Sequence, residues 1–162
     1  MGTDVDAPLE QGTEVNLHMP ALIPEDYLPD INSRLVLYKR IAAAEDEERL
    51  RELQVEMIDR FGLLPPPITN LFQVSRLRLR AQALGIRSID AGPAGGSIEF
   101  KESTRVNPLA LVKLVQSEPK SYKLAGATRL RFERTLPANE ERRQYIDALL
   151  DTFATDTTED AA

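Results

Sequence analysis

Apolar and polar residues alternate near the start of the chain and recur at a helical spacing from residue 32 onward. Val15, Leu17 and Met19 are separated by polar side chains, which is typical of a half-buried strand, and Pro20 ends this pattern. Two prolines in residues 21–30 predict an extended segment, because the residue before a proline avoids helical dihedral angles. One short strand is therefore expected before any helix.

Three consecutive helices are predicted next. The first begins near Asn32, with Asp30 or Asn32 as its N-cap. The second spans roughly residues 46–61 and ends at Gly62, and the third is entered through three prolines and ends at Gly85. Their expected inward faces are, in chain order, Leu35, Tyr38 and Ile41; Leu50, Leu53, Met57, Ile58 and Phe61; and Ile68, Leu71, Phe72, Leu79 and Leu84.

The second half of the chain returns to strands. Residues 86–101 alternate around a glycine-rich turn and predict a hairpin, and residues 123–133 predict a second antiparallel pair. A short helix is expected from Asn107, and a last helix over about residues 139–153. The fold class predicted is α+β, with helices packed on a small antiparallel sheet, three consecutive N-terminal helices, later hairpins and a C-terminal helix.

Length and composition indicate one globular domain. The chain has 162 residues, of which 42% are hydrophobic and 28% charged, and it contains no cysteine. Disulfides, thiol nucleophiles and thiolate metal sites are therefore excluded. We expect a flexible N-terminal segment at residues 1–13, a single α+β regulatory domain at 14–153 and a flexible acidic tail at 154–162.

Charge is segregated along the chain. Residues 1–70 carry 6 basic and 14 acidic side chains, residues 71–134 carry 12 and 5, and residues 135–162 carry 2 and 7. Such a distribution favours charged partners over a single polyanion. No run approaches the length of a membrane span, so we expect a soluble, cytoplasmic protein without a membrane partner.

The sequence contains no recognisable catalytic or metal-binding motif. It has no phosphate-binding loop, and the glycines of residues 92–96 join two predicted strands instead of preceding a helix. The single histidine, His18, excludes a two-histidine metal site and is expected at the surface. We therefore predict neither a catalytic residue nor a metal site.

Acidic residues recur at helical spacing on the second predicted helix. Glu45, Glu48, Glu52, Glu56 and Asp59 lie three or four positions apart, opposite the apolar face. Such a row is either a docking face for a basic partner or an ordinary solvated face, and the residues alone leave both readings open.

Basic residues gather at the end of the third predicted helix. Arg76 and Arg80, with Arg87 just beyond, are candidates for phosphate contact. Cations in the last turns of a helix also complement its dipole, and no aromatic residues are interleaved for base stacking. Structural or protein contacts are therefore the favoured interpretation, with nucleic-acid contact as the alternative.

Two long irregular strings connect the chain to a known family. PEDYLPDINSRLVLYKRIA and ELQVEMIDRFGLLPPP, with GGSIEF, VNPLALVKLVQ and YKLAGATRLRF, resemble the C-terminal domain of the bacterial transcription-repair coupling factor over roughly residues 14–153. The family is a multidomain, DNA-translocating ATPase that engages stalled RNA polymerase and recruits the nucleotide excision repair protein UvrA. Its motor motifs lie upstream of this domain, so the resemblance implies neither an enzyme nor a bound cofactor here, ATP being used by the motor domains.

The resemblance also implies a regulatory role. In the family this domain packs on an N-terminal UvrB-like module and masks its UvrA-binding surface, and that surface is arginine-bearing. Glu52, Glu56 and Asp59 are therefore the expected partner-binding residues. UvrA, RNA polymerase and DNA are expected only as indirect partners through the parent protein. The alternative is a nucleic-acid-contacting module using the basic block at residues 76–134.

Overall fold

The computed structural model describes residues 12–155 and confirms the α+β class. The elements in chain order are β1 (Glu14–Asn16), α1 (Ile31–Ala43), α2 (Glu47–Phe61), α3 (Pro66–Ala83), β2 (Ile86–Gly92), β3 (Gly95–Phe100), α4 (Pro108–Ser117), β4 (Tyr122–Ala125), β5 (Arg129–Glu133) and α5 (Asn139–Thr155). The predicted helices and both hairpins are present.

The described residues divide into two compact units. Residues 19–79 form one, the helical unit, and residues 12–18 with 80–155 form the other, the sheet unit. The predicted flexible segments fall mainly on residues 1–11 and 156–162, which lie outside the described residues. Thr13, placed in the first of these segments, is instead buried and donates a hydrogen bond to the Ile86 carbonyl at 2.7 Å.

The helical unit is organised by local capping signals and a shared apolar core. The Asp30 side chain accepts from the backbone N–H of Ser33, and Asp46 does the same for Arg49, so each carboxylate satisfies an otherwise free amide of its helix. Gly62 ends α2 with a φ of 98°, a conformation that glycine adopts without steric cost. The buried core comprises Ile23, Leu28, Leu37, Ile41, Ala44, Leu50, Leu53, Met57, Ile68 and Phe72.

Two residues expected on inward faces are exposed. Leu35 is 51% exposed and Ile58 is 40% exposed, whereas Leu37 and Ile41 are buried. Residues four apart on a helix lie about 40° from each other, but Leu35 is six residues before Ile41 and therefore points about 120° away. The buried stripe of α1 follows Leu37 and Ile41, with Tyr38 packed against the same core, so the prediction is confirmed for Tyr38 and Ile41 and is wrong for Leu35.

The sheet unit contains one five-stranded sheet in the order β1-β2-β3-β5-β4. Its strand pairs are antiparallel except β1 and β2, which are parallel with Val15 opposite Ile89. The predicted sheet was entirely antiparallel. The difference arises because α1, α2 and α3 separate β1 from β2 in sequence, and a connection of that length can return the chain in a parallel sense.

Helix α5 packs its apolar side within the sheet unit. Ile146, Leu149, Leu150 and Phe153 are buried, and the Phe153 ring meets the Phe100 ring edge-on at 5.7 Å between centroids. These contacts confirm the inward face predicted for the last helix.

A buried arginine also belongs to α5. Arg142 is 4% exposed, and its guanidinium donates to the carbonyl oxygens of Leu17 at 2.6 Å, His18 at 3.0 Å, Leu136 at 2.9 Å and Pro137 at 3.0 Å. A buried charge is tolerated only when it is extensively hydrogen-bonded. Arg142 therefore ties the segment after β1 and the segment before α5 to the same helix.

Candidate docking surface on the second helix

Helix α2 presents its three candidate carboxylates on the side away from the core. Leu50, Leu53 and Met57 are buried, and the geometry of an α-helix places Glu52, Glu56 and Asp59 within about 60° of one another on the opposite side. The structure therefore brings these three residues onto one helix surface, as their spacing predicts. Their surroundings differ, however.

Glu56 is bound within the helical unit. Its two carboxylate oxygens accept from the two terminal nitrogens of Arg40 at 2.7 and 2.8 Å, and Arg60 donates to it at 3.3 Å. The Arg40 hydrogen bonds, with a smaller contribution from Arg60, lower the pKa of Glu56 to about 2. Glu56 therefore joins α2 to α1, a role that sequence spacing did not indicate.

The other two carboxylates are more accessible. Glu52 is exposed and accepts one hydrogen bond from Arg49, three residues earlier, at 3.2 Å. Asp59 is exposed and has no hydrogen bond or ion pair to another residue of the described part of the chain. Exposed i,i+3 pairs are weak, so both groups are available to an external cation.

Two exposed apolar residues lie beside these carboxylates. Val55 is 53% exposed and Ile58 is 40% exposed. With Glu52 and Asp59 they form what we call the α2 face. An apolar centre with charged groups around it is the usual arrangement of a protein interface.

The candidate phosphate-binding arginines are mostly engaged in ion pairs. Arg76 pairs with Glu47 at 3.1 Å, within the helical unit. Arg80, in the sheet unit, binds Asp147 at 2.7 Å and Asp151 at 2.5 Å. Arg87 is exposed and makes no hydrogen bond or ion pair within residues 12–155. Of these three, Arg87 alone is not held in an ion pair by a described residue, although its charge helps to lower the pKa of Glu99.

Two other cations, which the sequence analysis did not select, are more accessible to a ligand. Lys123 on β4 lies directly opposite Arg131 on β5, and neither forms an ion pair with a described residue. The alternation of β5 indicates the outward direction of Arg131 from sequence alone, because Leu130 and Phe132 point inward. The pairing of β5 with β4 could not be read from that alternation alone.

Metal-ligating clusters and membrane-spanning helices are the remaining candidate features. Residues 12–155 contain no group of three or more histidine, cysteine, aspartate or glutamate side chains that could hold a metal ion. Within the same range, no helix is long and apolar enough to cross a membrane. The predictions of no cofactor and of a cytoplasmic location remain predictions.

The chain has an α+β fold in two small units, and its helix α2 exposes acidic and apolar side chains together. Residues 17–111 match the sequence model of the TRCF domain family. The chain therefore belongs to the TRCF domain family.

Individual relatives agree with this assignment. The transcription-repair-coupling factor of Escherichia coli (strain K12) is 49% identical over 136 residues, which are 84% of this chain and 12% of that protein. The factor of Haemophilus influenzae (strain ATCC 51907 / DSM 11121 / KW20 / Rd) is 46% identical over 145 residues, covering 90% of this chain and 13% of that protein. The chain thus spans about an eighth of the length of these curated relatives.

A solved structure has the same fold. The crystal structure of the C-terminal domain of transcription-repair coupling factor superposes with a TM-score of 0.69 at 20% sequence identity, covering 89% of this chain and 95% of that chain. At this identity the match speaks for the fold alone. It agrees with the α+β class.

Proposed function

We propose that this chain is the non-catalytic regulatory domain of a transcription-coupled DNA repair factor. In the resting factor it packs on the UvrB-like module and masks the surface that binds UvrA. The family assignment supports membership in the coupling factor, and the α2 face is the observation that carries the docking role. The ATPase and DNA translocation belong to other domains of the parent protein, and this domain contributes neither a catalytic residue nor a cofactor.

The α2 face suits an arginine-bearing partner for a physical reason. Asp59 and Glu52 can accept hydrogen bonds from guanidinium groups, and Val55 and Ile58 can exclude water around those bonds. Burial of the apolar residues strengthens the charge pairs, because screening by water falls. Glu56 acts differently, since Arg40 and Arg60 already hold it and it fixes the position of α2 against α1.

The proposed state is one side of an equilibrium. A closed form, in which the α2 face is covered, and an open form, in which UvrA can bind, differ by the free energy of docking. A closed-to-open ratio of about one hundred requires only ~2.7 kcal/mol. Binding of polymerase or DNA to the open form would then shift the population.

The test removes the two accessible carboxylates from the complete factor. Glu52→Ala with Asp59→Ala should raise the recovery of UvrA in a pull-down by about three- to thirtyfold, because the closed form loses two charge-assisted contacts. The matched control is Glu25→Ala with Asp26→Ala, which removes two exposed negative charges from the loop before α1. The control should leave UvrA recovery within twofold of wild type.

Two outcomes would contradict the proposal. Equal UvrA recovery by the wild-type factor and the Glu52, Asp59 variant would make these acids ordinary solvated groups. Equal gains in the test and control variants would indicate a general effect of net charge. The melting temperature of the 162-residue chain should be the same for both variants, since neither pair takes part in the core.

The alternative function, nucleic-acid contact through the basic block at residues 76–134, has weaker support at Arg76 and Arg80. Arg76 and Arg80 would have to leave their carboxylate partners before binding phosphate. The docking function is therefore preferred for this domain.

A further inference from the structure

The exposed face of the sheet carries two neighbouring cations and a hydroxyl group in one row. Lys123, Arg131 and Ser97 are directly opposite one another on β4, β5 and β3, so their side chains point to the same face. Neighbouring strands in a sheet lie about 4.8 Å apart, so the Lys123 and Arg131 side chains leave the sheet from adjacent positions on one face. Like charges directly opposite each other on a sheet are unfavourable, and an anion bound between them would offset that repulsion.

The charges near this row leave it positive. On one side, Arg129 is neutralised by Glu99, with Nε to carboxylate at 2.8 Å. On the other side, the exposed carboxylate of Glu133 lies on the same face without an ion pair to Arg131, and it offsets one of the three cations Lys120, Lys123 and Arg131. Lys120 adds another cation just before β4. At the far end of the row, Asp90 opposes Ser97 on β2 and is engaged by His18 at 2.9 Å.

The same residues line a depression. Lys120, Lys123, Arg131 and Ser97 line an open cavity of about 610 Å³, together with Gly96 and Glu133. A Cβ atom at Gly96 would lie 1.7 Å from the Asp90 carbonyl oxygen, so only glycine lets β3 approach β2 this closely.

We propose that this surface, the sheet-face cation row (Lys120, Lys123, Arg131 and Ser97), binds the phosphate backbone of duplex DNA. A phosphodiester presents two acceptor oxygens, which suits one ammonium and one guanidinium with the Ser97 hydroxyl as a further donor. Lys123 and Arg131 supply donors that no described carboxylate occupies. Arg76 and Arg80, by contrast, are already held in ion pairs.

The surroundings favour the backbone of duplex DNA over a single-stranded nucleic acid and over an acidic peptide. The aromatic residue lining the depression, Phe132, is buried, so the described surface offers no platform for stacking unpaired bases. An acidic peptide would most readily add as a further strand along β4, but a lysine on an edge strand discourages such pairing. Contacts to phosphate alone carry no sequence information, so the binding is independent of DNA sequence and sensitive to salt.

The experiment measures binding of the 162-residue chain to a fluorescent 20-base-pair duplex by anisotropy, over a range of salt concentrations. The test variant is Lys123→Gln with Arg131→Gln. The matched control is Arg49→Gln with Arg51→Gln, which removes two exposed cations from α2. We expect the test variant to lose about tenfold or more in affinity at low salt, and the control to stay within twofold of wild type.

The salt dependence gives a second readout. Loss of two phosphate contacts should flatten the plot of log affinity against log salt by about 1.8, and the charge-conserving Arg131→Lys should retain most of the wild-type slope. The melting temperature distinguishes a loss of DNA contacts from a loss of folding. It should not fall in the test variant, because both side chains point away from the core.

Three results would overturn the proposal. One is an absence of binding to duplex DNA by the wild-type chain at low salt. Another is an equal loss in the test and control variants. The third is binding of polyglutamate with the same affinity and the same sensitivity to the test variant, which would assign the surface to an acidic protein. Each result leaves the docking function of α2 untouched, since that function uses a different surface and a different readout.

Discussion

Charges on α1 and α2 of the helical unit are largely matched to each other, whereas charges on β4 and β5 of the sheet unit are not. Arg40 and Arg60 both bind Glu56. On the sheet, Lys123 faces Arg131 without a carboxylate between them. The first arrangement adds to the cohesion of two helices, and the second costs a little stability that a bound anion could return. A count of charges along the chain does not distinguish the two situations.

The comparison also separates residues of the same chemical type. Glu56 and Asp59 are three residues apart on one helix, yet two arginines hold the first and no described residue holds the second. A carboxylate with intramolecular partners supports the fold, and one without them is free for an external partner. The predicted partner-binding set therefore splits into a structural member, Glu56, and two accessible members, Glu52 and Asp59.

The largest expected effect on stability comes from the buried Arg142, whose charge is neither paired with a carboxylate nor exposed. Arg142→Met should reduce the free energy of unfolding by about 3 kcal/mol or more, because it leaves several buried carbonyl oxygens without a donor. Urea unfolding followed by circular dichroism measures this. Arg143→Met is the control on the same helix, since among residues 12–155 the Arg143 side chain pairs with Glu140 and Asp147 and with no buried carbonyl oxygen. A loss no greater than that of the control would show that solvent replaces the Arg142 hydrogen bonds.

An intermediate effect is expected from the Arg40–Glu56 pair. Arg40→Ala should lower the urea midpoint by less than about a third of the Arg142→Met effect, because exposed ion pairs are weak. Asp59→Ala, which removes an unpaired carboxylate from α2, the helix that carries Glu56, should leave the midpoint unchanged. If Asp59→Ala were as damaging as Arg40→Ala, the distinction between paired and free carboxylates would fail.

The same pair predicts a dependence on pH. The pKa of Glu56 is lowered from 4.5 to about 2 in the folded chain, so its contribution is present above pH 4.5 and is lost as the pH falls toward 2. Stability measured between pH 6 and pH 2.5 should therefore fall less steeply in Arg40→Ala than in wild type. Parallel curves for the two proteins would contradict the assignment of Arg40 as the main cause.

The smallest effect is expected on the sheet. Lys123→Glu places a carboxylate opposite Arg131 and should raise the free energy of unfolding by ~0.2–1 kcal/mol, by replacing repulsion with attraction. Lys113→Glu, which makes the same change in net charge on α4, is the control and should have no such effect. A decrease in stability for Lys123→Glu would mean that the two cations do not share a face.

Local structure could be predicted well from sequence where neighbouring residues decide it. Asp46 and Gly62 lie next to the ends of α2, and both boundaries follow from them. The inward stripe of α1 was less accurate, because Leu35, Leu37 and Ile41 are all apolar and the core selected the last two. The parallel pairing of β1 could not be predicted, since hydrophobic alternation does not reveal which strand lies alongside.

The amino-acid sequence by itself determined the α+β class, the order of helices and hairpins and membership in the TRCF domain family. The class and the order of elements depend on the spacing of apolar residues and on helix caps, which are local in sequence. Family membership depends on long sequence segments that can be compared directly. The tertiary structure decided which charges are free. Arg40 reaches Glu56 across 16 positions, and Arg142 reaches Leu17 across 125. Partners so far apart in sequence meet only when helices and strands pack, so the accessibility of Asp59 and the exposed Lys123–Arg131 pair become visible only in the folded chain.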